Sequence, residues 1–561
     1  MRVFGGILGA AMAWGCTLVS DFEIQQCVED DDCQPSRDAP VRICEAQRCV
    51  AGCADNGQCD KELSGGGAAY WMCPTRGAEC VNLLSSECFG TLGPEPSSLG
   101  TLRGEDLALI GLFAAPVPGA QPTPAELTYR LAISDLNEEG GLPGIMRPPR
   151  PVVGVICDDT RAATDAGIAH LVDRLGVRAV LAALEPEPLR AAVEGQDPSV
   201  FFLSPFLDPG PVIARTDALW YLFDEQAAIA PAYVPLLARV QDRLARERQV
   251  APEAVRMALV VSTESDADAD RRLKLAVERE LGGAMASQAE LLLGRNAEEF
   301  GLGAESELGG AVEAIIAYQP DVVLLFASGN FASGRERSAI VTEIERGWLT
   351  GAQRPLYVGA PANFDTRELT ALGEDADFRR RFVGLNAYRE FDGPLARNLA
   401  DAYESFENRD TRFAAAANLY DAVYYLAYAL SAAYRPEIAD QTNAVFHGFQ
   451  SITDLSGERV EVGPLGKDAA FEHLYDRKPF ALHGVTGPPD FDPVTHHRPS
   501  GASGYCLVEQ ERQGKLEVLW DVQAWAYEAS RRGFVRLPPL DPNVPDTRAF
   551  CLPELFDAEA K

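Results

Sequence analysis

The stretch ISDLNEEGGLPGIMRPPRPVVGVICDDT, residues 133–160, decides how this chain folds. A helical pattern leads into it, with apolar side chains on one face at Tyr129, Ala132, Ile133 and Leu136. Gly140 and Gly141 end that helix, because only glycine adopts left-handed backbone angles at little cost. The turn Leu-Pro-Gly precedes an apolar run at 151–156, which predicts a strand, and the residues at 158–160 predict the cap of the next helix.

The same alternation of strand and helix continues along most of the chain. Short apolar runs predict strands at 107–113, 151–156, 177–184, 199–205, 256–263, 321–328, 355–361 and 381–387. Continuous apolar strands that alternate with amphipathic helices indicate parallel sheets covered on both faces. Because 561 residues are too many for one hydrophobic core, we expect two such lobes. No internal repeat is evident.

The charge balance is strongly acidic. Lys and Arg number 50 and Asp and Glu number 83, which leaves a net charge of −33. Such a surface repels nucleic acid and anionic lipid headgroups, so no nucleic-acid partner is expected. The charge favours solubility and does not identify a ligand.

Thirteen cysteines are distributed unevenly, with ten between Cys16 and Cys88. Their gaps are irregular, no CxxC occurs, and the first histidine is His170, so disulfides are favoured over zinc. Disulfides place the protein outside the cytosol. The candidates are Cys27, Cys33, Cys44, Cys49, Cys53, Cys59, Cys73, Cys80, Cys88, Cys157, Cys506 and Cys551.

The number of cysteines in the N-terminal region limits how they can pair in disulfides. Nine cysteines of the N-terminal region remain once Cys16 is set aside, an odd number. We hypothesise that Cys506 pairs with Cys551 and that Cys157 takes the leftover cysteine, for which Cys88 is one candidate. The region is poor in large apolar residues, so bridges have to replace a core.

The N-terminus MRVFGGILGAAMAWGC is typical of a signal peptide, with Arg2 before an apolar run too short to span a bilayer. Cys16 after Gly15 resembles the lipobox of bacterial lipoproteins, in which the cysteine is lipidated. The alternative is a plain secretory signal. The protein is therefore expected to be extracytoplasmic, on a bacterial membrane at the periplasm or cell surface, and to contact the membrane through the lipid anchor only.

Four segments in order resemble the start of type I periplasmic binding proteins, the Leu/Ile/Val-binding branch that serves ABC transporters. They are LALIGLF, RLAISDLNEEGGLPG, VVGVICDDT and HLVDRLGVRAVLAAL. Later segments are similar to the family in the right order: SVFFLSP, MALVVST, DVVLLFAS, LYVGAPA, AANLYDAVYYLAYAL and GPPDFDP. The last of these resembles the family's closing hairpin. The resemblance covers roughly residues 105–520.

The resemblance implies an α/β fold of two lobes, each a parallel sheet sandwiched by helices, joined by three crossings and closing on a ligand. A disulfide-rich module precedes them. The expected segments are a signal peptide (1–15), cysteine-rich module (16–92), linker (93–104), lobe 1 (105–228), lobe 2 (229–390), lobe 1 return (391–450), and lobe 2 return with C-terminal extension (451–561).

Ligands of open α/β sheets lie beyond the carboxyl ends of the strands. By that rule the candidate ligand-binding residues are Glu185, Glu187, Ser204, Asp208, Ser262, Ser328, Asn330 and Asn363. The anchors that amino-acid-binding relatives use are mostly absent. Glu185-Pro186-Glu187 stands where hydroxyls and amides hold the ligand carboxylate, and paired carboxylates repel such a ligand. The ligand is therefore amino-acid-like or an amine, cationic or neutral, or the cleft no longer binds small molecules.

Catalytic and metal motifs are not evident. No HExxH, GxSxG, P-loop or GxGxxG occurs, and ESDADADRR (264–272) matches only part of a calcium loop. We expect no enzyme activity, no metal and no cofactor. The expected function is a solute-binding lipoprotein that captures a small polar ligand, with an ABC permease as a candidate partner. The alternative is a ligand-sensing receptor or surface interaction lipoprotein without a transport role.

Overall fold

The computed structural model describes residues 27–33, 42–45, 48–63, 71–115, 123–144, 147–184, 186–195, 199–208, 217–263, 268–284, 297–327, 331, 333, 335–349, 351–361, 366–402, 411–439, 441–512, 515–537 and 552–556. The chain forms two compact units. The first comprises residues 1–84 and 94–107, and the second comprises 85–93 and 108–561. None of the described helices is both long and apolar enough to cross a bilayer.

The first unit is built on disulfides. Its regular elements are β1 (Arg42–Glu45), β2 (Arg48–Ala51), α1 (Asn56–Leu63), β3 (Trp71–Met72) and β4 (Val81–Asn82), with 3₁₀ turns at Asp30–Cys33, Pro96–Leu99 and Gly104–Asp106. The bridges are Cys27–Cys44, Cys33–Cys49, Cys53–Cys73 and Cys59–Cys80. The disulfide prediction is thus confirmed for these eight cysteines. Metal-ligand side chains that converge within the described residues are sulfurs of these bridges.

The pairing pattern of the first unit occurs twice. In each half the first cysteine pairs with the third and the second with the fourth. In each half the second cysteine lies on a helical turn and an antiparallel strand pair follows. The unit is therefore a tandem repeat of one small disulfide motif, which the irregular spacing of the cysteines concealed.

The second unit holds the remaining elements. Its strands are β5 (Cys88–Leu92), β6 (Ala108–Ala114), β7 (Leu142–Gly144), β8 (Arg147–Arg150), β9 (Val152–Asp158), β10 (Ala179–Leu181), β11 (Phe201–Asp208), β12 (Leu219–Glu225), β13 (Met257–Ser262), β14 (Ala297–Leu302), β15 (Val322–Phe326), β16 (Leu356–Gly359), β17 (Phe382–Tyr388), β18 (Glu458–Glu461), β19 (Phe480–His483), β20 (Gly501–Arg512), β21 (Lys515–Glu528) and β22 (Gly533–Arg536).

The helices of the second unit are α2 (Pro124–Asn137), α3 (Arg161–Ala169), α4 (Pro186–Gly195), α5 (Ala230–Arg248), α6 (Asp268–Ala284), α7 (Leu308–Tyr318), α8 (Ala339–Gly347), α9 (Arg367–Leu372), α10 (Ala376–Arg379), α11 (Gly393–Ala402), α12 (Thr411–Ala433), α13 (Pro436–Ala439), α14 (Ala444–Gln450), α15 (Lys467–Asp476) and α16 (Pro553–Phe556). A π-helical turn, His170–Arg174, extends α3, and 3₁₀ turns lie at Gln226–Ile229, Pro252–Ala254 and Glu305–Glu307.

Two separate sheets define two lobes. Lobe 1 has the order β12-β11-β10-β6-β9-β5, parallel except for β5. Lobe 2 has the order β14-β13-β15-β16-β17-β20-β21-β22, parallel as far as β17 and antiparallel beyond it. Buried residues of α2 and α12 pack with the lobe 1 sheet in one core. The two-lobed α/β prediction is confirmed.

The stretch at 133–160 folds as its sequence predicts. Thr123 caps α2 by accepting a hydrogen bond from the Glu126 amide at 3.1 Å. Gly141 has φ +101, and a Cβ there would lie 2.2 Å from the Arg150 carbonyl oxygen. The Asn137 side chain then donates to the Val152 carbonyl oxygen and accepts from the Val152 amide, each at 2.8 Å. This amide pair fixes where β9 enters the sheet.

Several elements differ from expectation. The Thr160 side chain does not cap α3; instead the Asp158 carboxylate accepts a hydrogen bond from the Thr160 amide at 2.8 Å. The segment at 487–493 contains no strand, so it is not the expected hairpin. The closing hairpin is β20 with β21. By contrast, the hypothesis that Cys157 takes the leftover cysteine, with Cys88 as one candidate, is confirmed, since Cys88 is bonded to Cys157 across the antiparallel β5–β9 pair.

Three chain segments join the lobes. The first runs from β12 into α5, the second from β17 into α11, and the third from β19 into β20. The strand ends involved are the carboxyl ends of β12 and β17 and the start of β20, which pairs with the end of β17. Each crossing therefore has one end at the carboxyl edge of a parallel sheet, the first in lobe 1 and the other two in lobe 2.

Candidate functional site

The candidate site is the cleft between the two carboxyl edges. Because every crossing leaves or enters at those edges, they lie on either side of the hinge. Loops that follow parallel strands on such edges are where α/β proteins bind ligands. The cleft is therefore the place to test the predicted ligand-binding residues.

The lobe 1 edge brings two predicted residues, Ser204 and Asp208, onto one strand. Asp208 ends β11 with 3% of its surface exposed, and a register shift precedes it. Ser204 is buried opposite Tyr221 of β12, and its hydroxyl accepts a hydrogen bond from the Phe206 amide at 3.3 Å. Phe206 itself is 51% exposed, so the edge presents an aromatic ring beside a buried carboxylate.

Tyr221 is a polar residue of this edge that sequence reasoning missed. It is 5% exposed, and its hydroxyl has no hydrogen-bond partner among the described residues. Burial and, to a lesser extent, the negative charge of Asp208 raise the pKa of this phenol. The hydroxyl remains protonated at neutral pH and is a donor with no acceptor in the part of the chain that the structure describes. Tyr221 lies within the apolar run LWYLF, which was not among the predicted strands, so the strand-end rule did not select it.

The lobe 2 edge contributes Ser262, the last residue of β13. It is 0% exposed, and its hydroxyl also lacks a hydrogen-bond partner among the described residues. Phe331, after β15, is buried, and the Arg337 guanidinium lies 5.9 Å from its ring centroid. This edge therefore combines a buried hydroxyl with an aromatic ring and a buried arginine.

All of the predicted binding residues remain predictions, and those not yet described lie partly or wholly outside the described residues. Glu187 lies in the first turn of α4, but its side chain lies outside the described part of the chain. Four further candidates are outside the described residues altogether: Glu185, Ser328, Asn330 and Asn363. The same is true of Cys16 and Cys551, although Cys506 is disulfide-bonded.

A buried polar network occupies the hinge, and sequence reasoning missed it as well. The Asp421 carboxylate on α12 accepts hydrogen bonds from the Val485 amide at 2.8 Å, the Thr486 amide at 2.8 Å and the Thr486 hydroxyl at 2.6 Å. Burial raises the pKa of Asp421, and the hydrogen bonds from Thr486 oppose that shift. The carboxylate therefore holds the start of the third crossing against the core of lobe 1 by hydrogen bonds.

Two arginines complete the hinge network. Arg498 donates to the Thr486 carbonyl oxygen at 2.7 Å and to its hydroxyl at 3.2 Å. Arg389, the first residue of the second crossing, donates to the carbonyl oxygens of Thr486 at 3.0 Å and Pro488 at 3.3 Å. Burial and the neighbouring charge of Arg498 lower the pKa of Arg389 to about 10, so it stays charged at neutral pH. The signal available in the sequence was the cluster of basic residues in THHRPS within a proline-rich segment.

The third crossing also contacts β12, the strand that leads into the first crossing. The Tyr221 amide donates to the His496 carbonyl oxygen at 2.9 Å, and the Arg498 amide donates to the Tyr221 carbonyl oxygen at 3.2 Å. His497 Nδ1 lies 3.3 Å from an Asp224 carboxylate oxygen. The Asp224 amide donates to the Ser500 hydroxyl at 3.2 Å. The third crossing is thereby bonded to β12 and, through Arg389, to the second crossing.

The chain was compared with known proteins. No family model matches it, and no curated protein matches it. Among solved structures, the leucine-binding protein LivK from Thermotoga maritima is 12% identical, covering 74% of this chain and 99% of its own, with a TM-score of 0.46. LivJ from Streptococcus pneumoniae, solved with isoleucine, is 16% identical over 74% and 99%, with a TM-score of 0.45.

A third structure is the ABC transporter solute-binding protein from Rhodopseudomonas palustris, solved with 3,4-dihydroxybenzoic acid. It is 14% identical over 74% of this chain and 96% of its own, with a TM-score of 0.44. These structure neighbours are the class of protein that the sequence motifs resemble.

Proposed function

We propose that the protein is an extracytoplasmic solute-binding protein that captures a small polar ligand between its lobes, without catalysis. The observation that carries this proposal is the arrangement of two parallel-sheet lobes, joined by three crossings at the edges where such sheets bind ligands. Closure of the lobes would couple the ligand to a shape that a partner can recognise. The motif resemblance to the Leu/Ile/Val-binding branch supports an ABC permease as that partner.

The ligand we propose is an amine or a neutral polar molecule, amino-acid-like in size. Asp208 places a buried carboxyl at the lobe 1 edge, and the sequence places Glu185 and Glu187 after the neighbouring strand. Carboxylates attract an ammonium group and repel a ligand carboxylate. The hydroxyls of Tyr221 and Ser262, which have no partner among the described residues, offer hydrogen bonds, and the exposed ring of Phe206 offers an apolar contact.

A thermal shift screen tests this proposal. The purified mature protein is heated with amines, amides, amino acids and small peptides, one at a time. A ligand present at about 100 times its Kd adds about 2.7 kcal/mol to the free energy of unfolding, which raises Tm. No shift with any compound would count against ligand capture and favour a surface interaction protein.

Two substitutions then locate the site. Asp208→Asn and Glu187→Gln should each weaken a cationic hit, because each removes one negative charge from the proposed cleft. Glu139→Gln is the matched control, since Glu139 is exposed in the turn after α2, at the opposite edge of the sheet. Equal affinities for the control and both site variants would show that the ligand binds elsewhere.

We also propose that residues 1–15 are removed as a signal peptide and that Cys16 carries the lipid. Metabolic labelling with a radioactive fatty acid should mark the wild-type chain and leave Cys16→Ser unlabelled. Label retained in that variant would refute lipidation at Cys16. Of the proposed segment boundaries, the one between residues 15 and 16 follows from this assignment.

A sensor or surface interaction role is the second candidate. The observation that favours it is the disulfide-rich repeat unit, whose eight bonded cysteines are additional to the two lobes. Ligand-dependent uptake by cells that carry the protein and a neighbouring permease gene would support transport. Ligand binding without any effect on uptake would support sensing.

A further inference from the structure

The second and third crossings leave lobe 2 side by side. Tyr388, the last residue of β17, pairs with Gly501, the first residue of β20. Arg389 follows Tyr388 directly, so its side chain begins where both crossings emerge from lobe 2. The third crossing then has its far end at Thr486, which Asp421 holds on lobe 1.

The Arg389 guanidinium contacts both ends of the third crossing. At the lobe 1 end it donates to the carbonyl oxygens of Thr486 and Pro488. At the lobe 2 end it donates to the carbonyl oxygen of Pro499, two residues before β20. Asp490, in the middle of the crossing, forms an ion pair with it at 2.9 Å.

The chemistry of arginine suits this arrangement. Its planar head presents five N–H donors in a fixed fork, so one side chain can bind several carbonyl oxygens that point in different directions. Its side chain is only 10% exposed, and burying a charge is costly unless it is paired and hydrogen-bonded. Proline residues at 488 and 499 restrict the backbone beside two of the acceptors.

We propose that Arg389 is a positioning residue of the hinge: it ties the two ends of the third crossing together and thereby limits the range of angles between the lobes. The effect of Arg389 on ligand affinity rests on the proposed function. The restriction of the lobe angle does not, because it concerns the protein without ligand.

The test measures the distance distribution between the lobes without ligand. Spin labels are attached through an unnatural amino acid at Glu139 in lobe 1 and Arg346 in lobe 2, both exposed, and read by double electron–electron resonance. Arg389→Met should broaden the distribution. Arg389→Lys should broaden it less, because an ammonium group keeps the charge but cannot reach both ends of the crossing.

Arg379→Met is the matched control. Arg379 is similarly buried and forms an ion pair with Glu509 at 2.8 Å, but both residues belong to lobe 2. The control should leave the distance distribution unchanged. If circular dichroism shows that Arg389→Met does not fold, the distance distribution of Arg389→Lys alone tests the proposal, since that variant retains the charge. A wild-type distribution in the folded Arg389 variants would overturn the proposal.

A ligand measurement separates this proposal from the proposed function. If only a fraction f of the molecules is competent to bind, the apparent Kd rises by 1/f. A competent fraction that falls to roughly one tenth therefore weakens binding roughly tenfold, with cleft residues unchanged. A broadened distribution with no ligand found would support the hinge proposal and count against ligand capture. If a ligand is found but the Arg389 variants keep the wild-type distance distribution, ligand capture is supported and the hinge proposal is refuted.

Discussion

Substitution of Asp421 should separate the contribution of its hinge hydrogen bonds to the free energy of unfolding from that of ordinary core packing. The carboxylate accepts three hydrogen bonds from Val485 and Thr486 at the start of the third crossing. Asp421→Ala leaves these donors without an acceptor at a position that is 0% exposed. Breaking a buried charged network by removing one partner typically costs about 3–5 kcal/mol.

Asp421→Asn should cost less. One carboxylate oxygen accepts from both groups of Thr486, and the Asn carbonyl oxygen can replace it. The Asn amide would then face the Val485 amide, which donates to the other oxygen at 2.8 Å. A single unsatisfied donor costs about 1–3 kcal/mol.

Urea denaturation monitored by fluorescence measures these costs, and calorimetry gives the change in Tm. The entropy of unfolding is about 2.1 cal/mol/K per residue, taken over the second unit, to which Asp421 belongs. The Ala substitution should therefore lower the Tm of that unit by about 3 to 5 °C. Thr486→Val is the companion variant, because it removes one of the three donors and keeps the carboxylate. The reasoning is refuted if the Ala and Asn variants are equally stable, or if both match the wild type within about 0.5 kcal/mol.

Further predictions concern other parts of the second unit. Cys88→Ser combined with Cys157→Ser removes a bridge with a sequence separation of 69, and should cost about 4 kcal/mol by the loop-entropy relation; denaturation at the wild-type midpoint would contradict this. Gly141→Ala should destabilise by more than about 1 kcal/mol, because of the positive φ and the contact at 2.2 Å, and a native Tm would show that the turn relaxes. Phe556→Ala should cost about 3–5 kcal/mol because the ring is buried in lobe 2, and a chevron plot should confirm the loss. Burial raises the pKa of Asp135, so the wild type should gain stability over Asp135→Asn as the pH falls through that raised pKa; a pH-independent difference would contradict the assignment.

Much of the fold could be predicted because apolar periodicity and turn chemistry agree. The run VVGVI forms β9, and the apolar face of α2 is buried as its spacing predicts. In these segments local preference and global packing favour the same structure, which is the condition under which sequence patterns are informative.

The strands that were missed have a different pattern. β14, the sequence AEEFGL, lies at the sheet edge and buries only two of its six residues. β5 was assigned to the cysteine-rich module because it follows the same run of cysteines. An edge strand such as β14 needs few apolar residues, so an apolar run does not reveal it; β12, by contrast, was missed although its run LWYLF is apolar.

The site was predicted less completely than the fold. The carboxyl-edge rule selected Ser204, Asp208 and Ser262 as candidates, because it depends only on local elements, and they remain predictions. The hinge network depends on contacts between residues far apart in sequence, such as Asp421 with Thr486 or Arg389 with Pro499. No local pattern encodes such contacts.

The central claim is that the two lobes close on a ligand. Small-angle X-ray scattering of the mature protein, recorded with and without a saturating hit from the thermal screen, tests it most directly. The account predicts a smaller radius of gyration with ligand, and a smaller change when the Asp208→Asn variant is measured at the same ligand concentration. An unchanged scattering profile at a ligand concentration that demonstrably saturates the protein would contradict it.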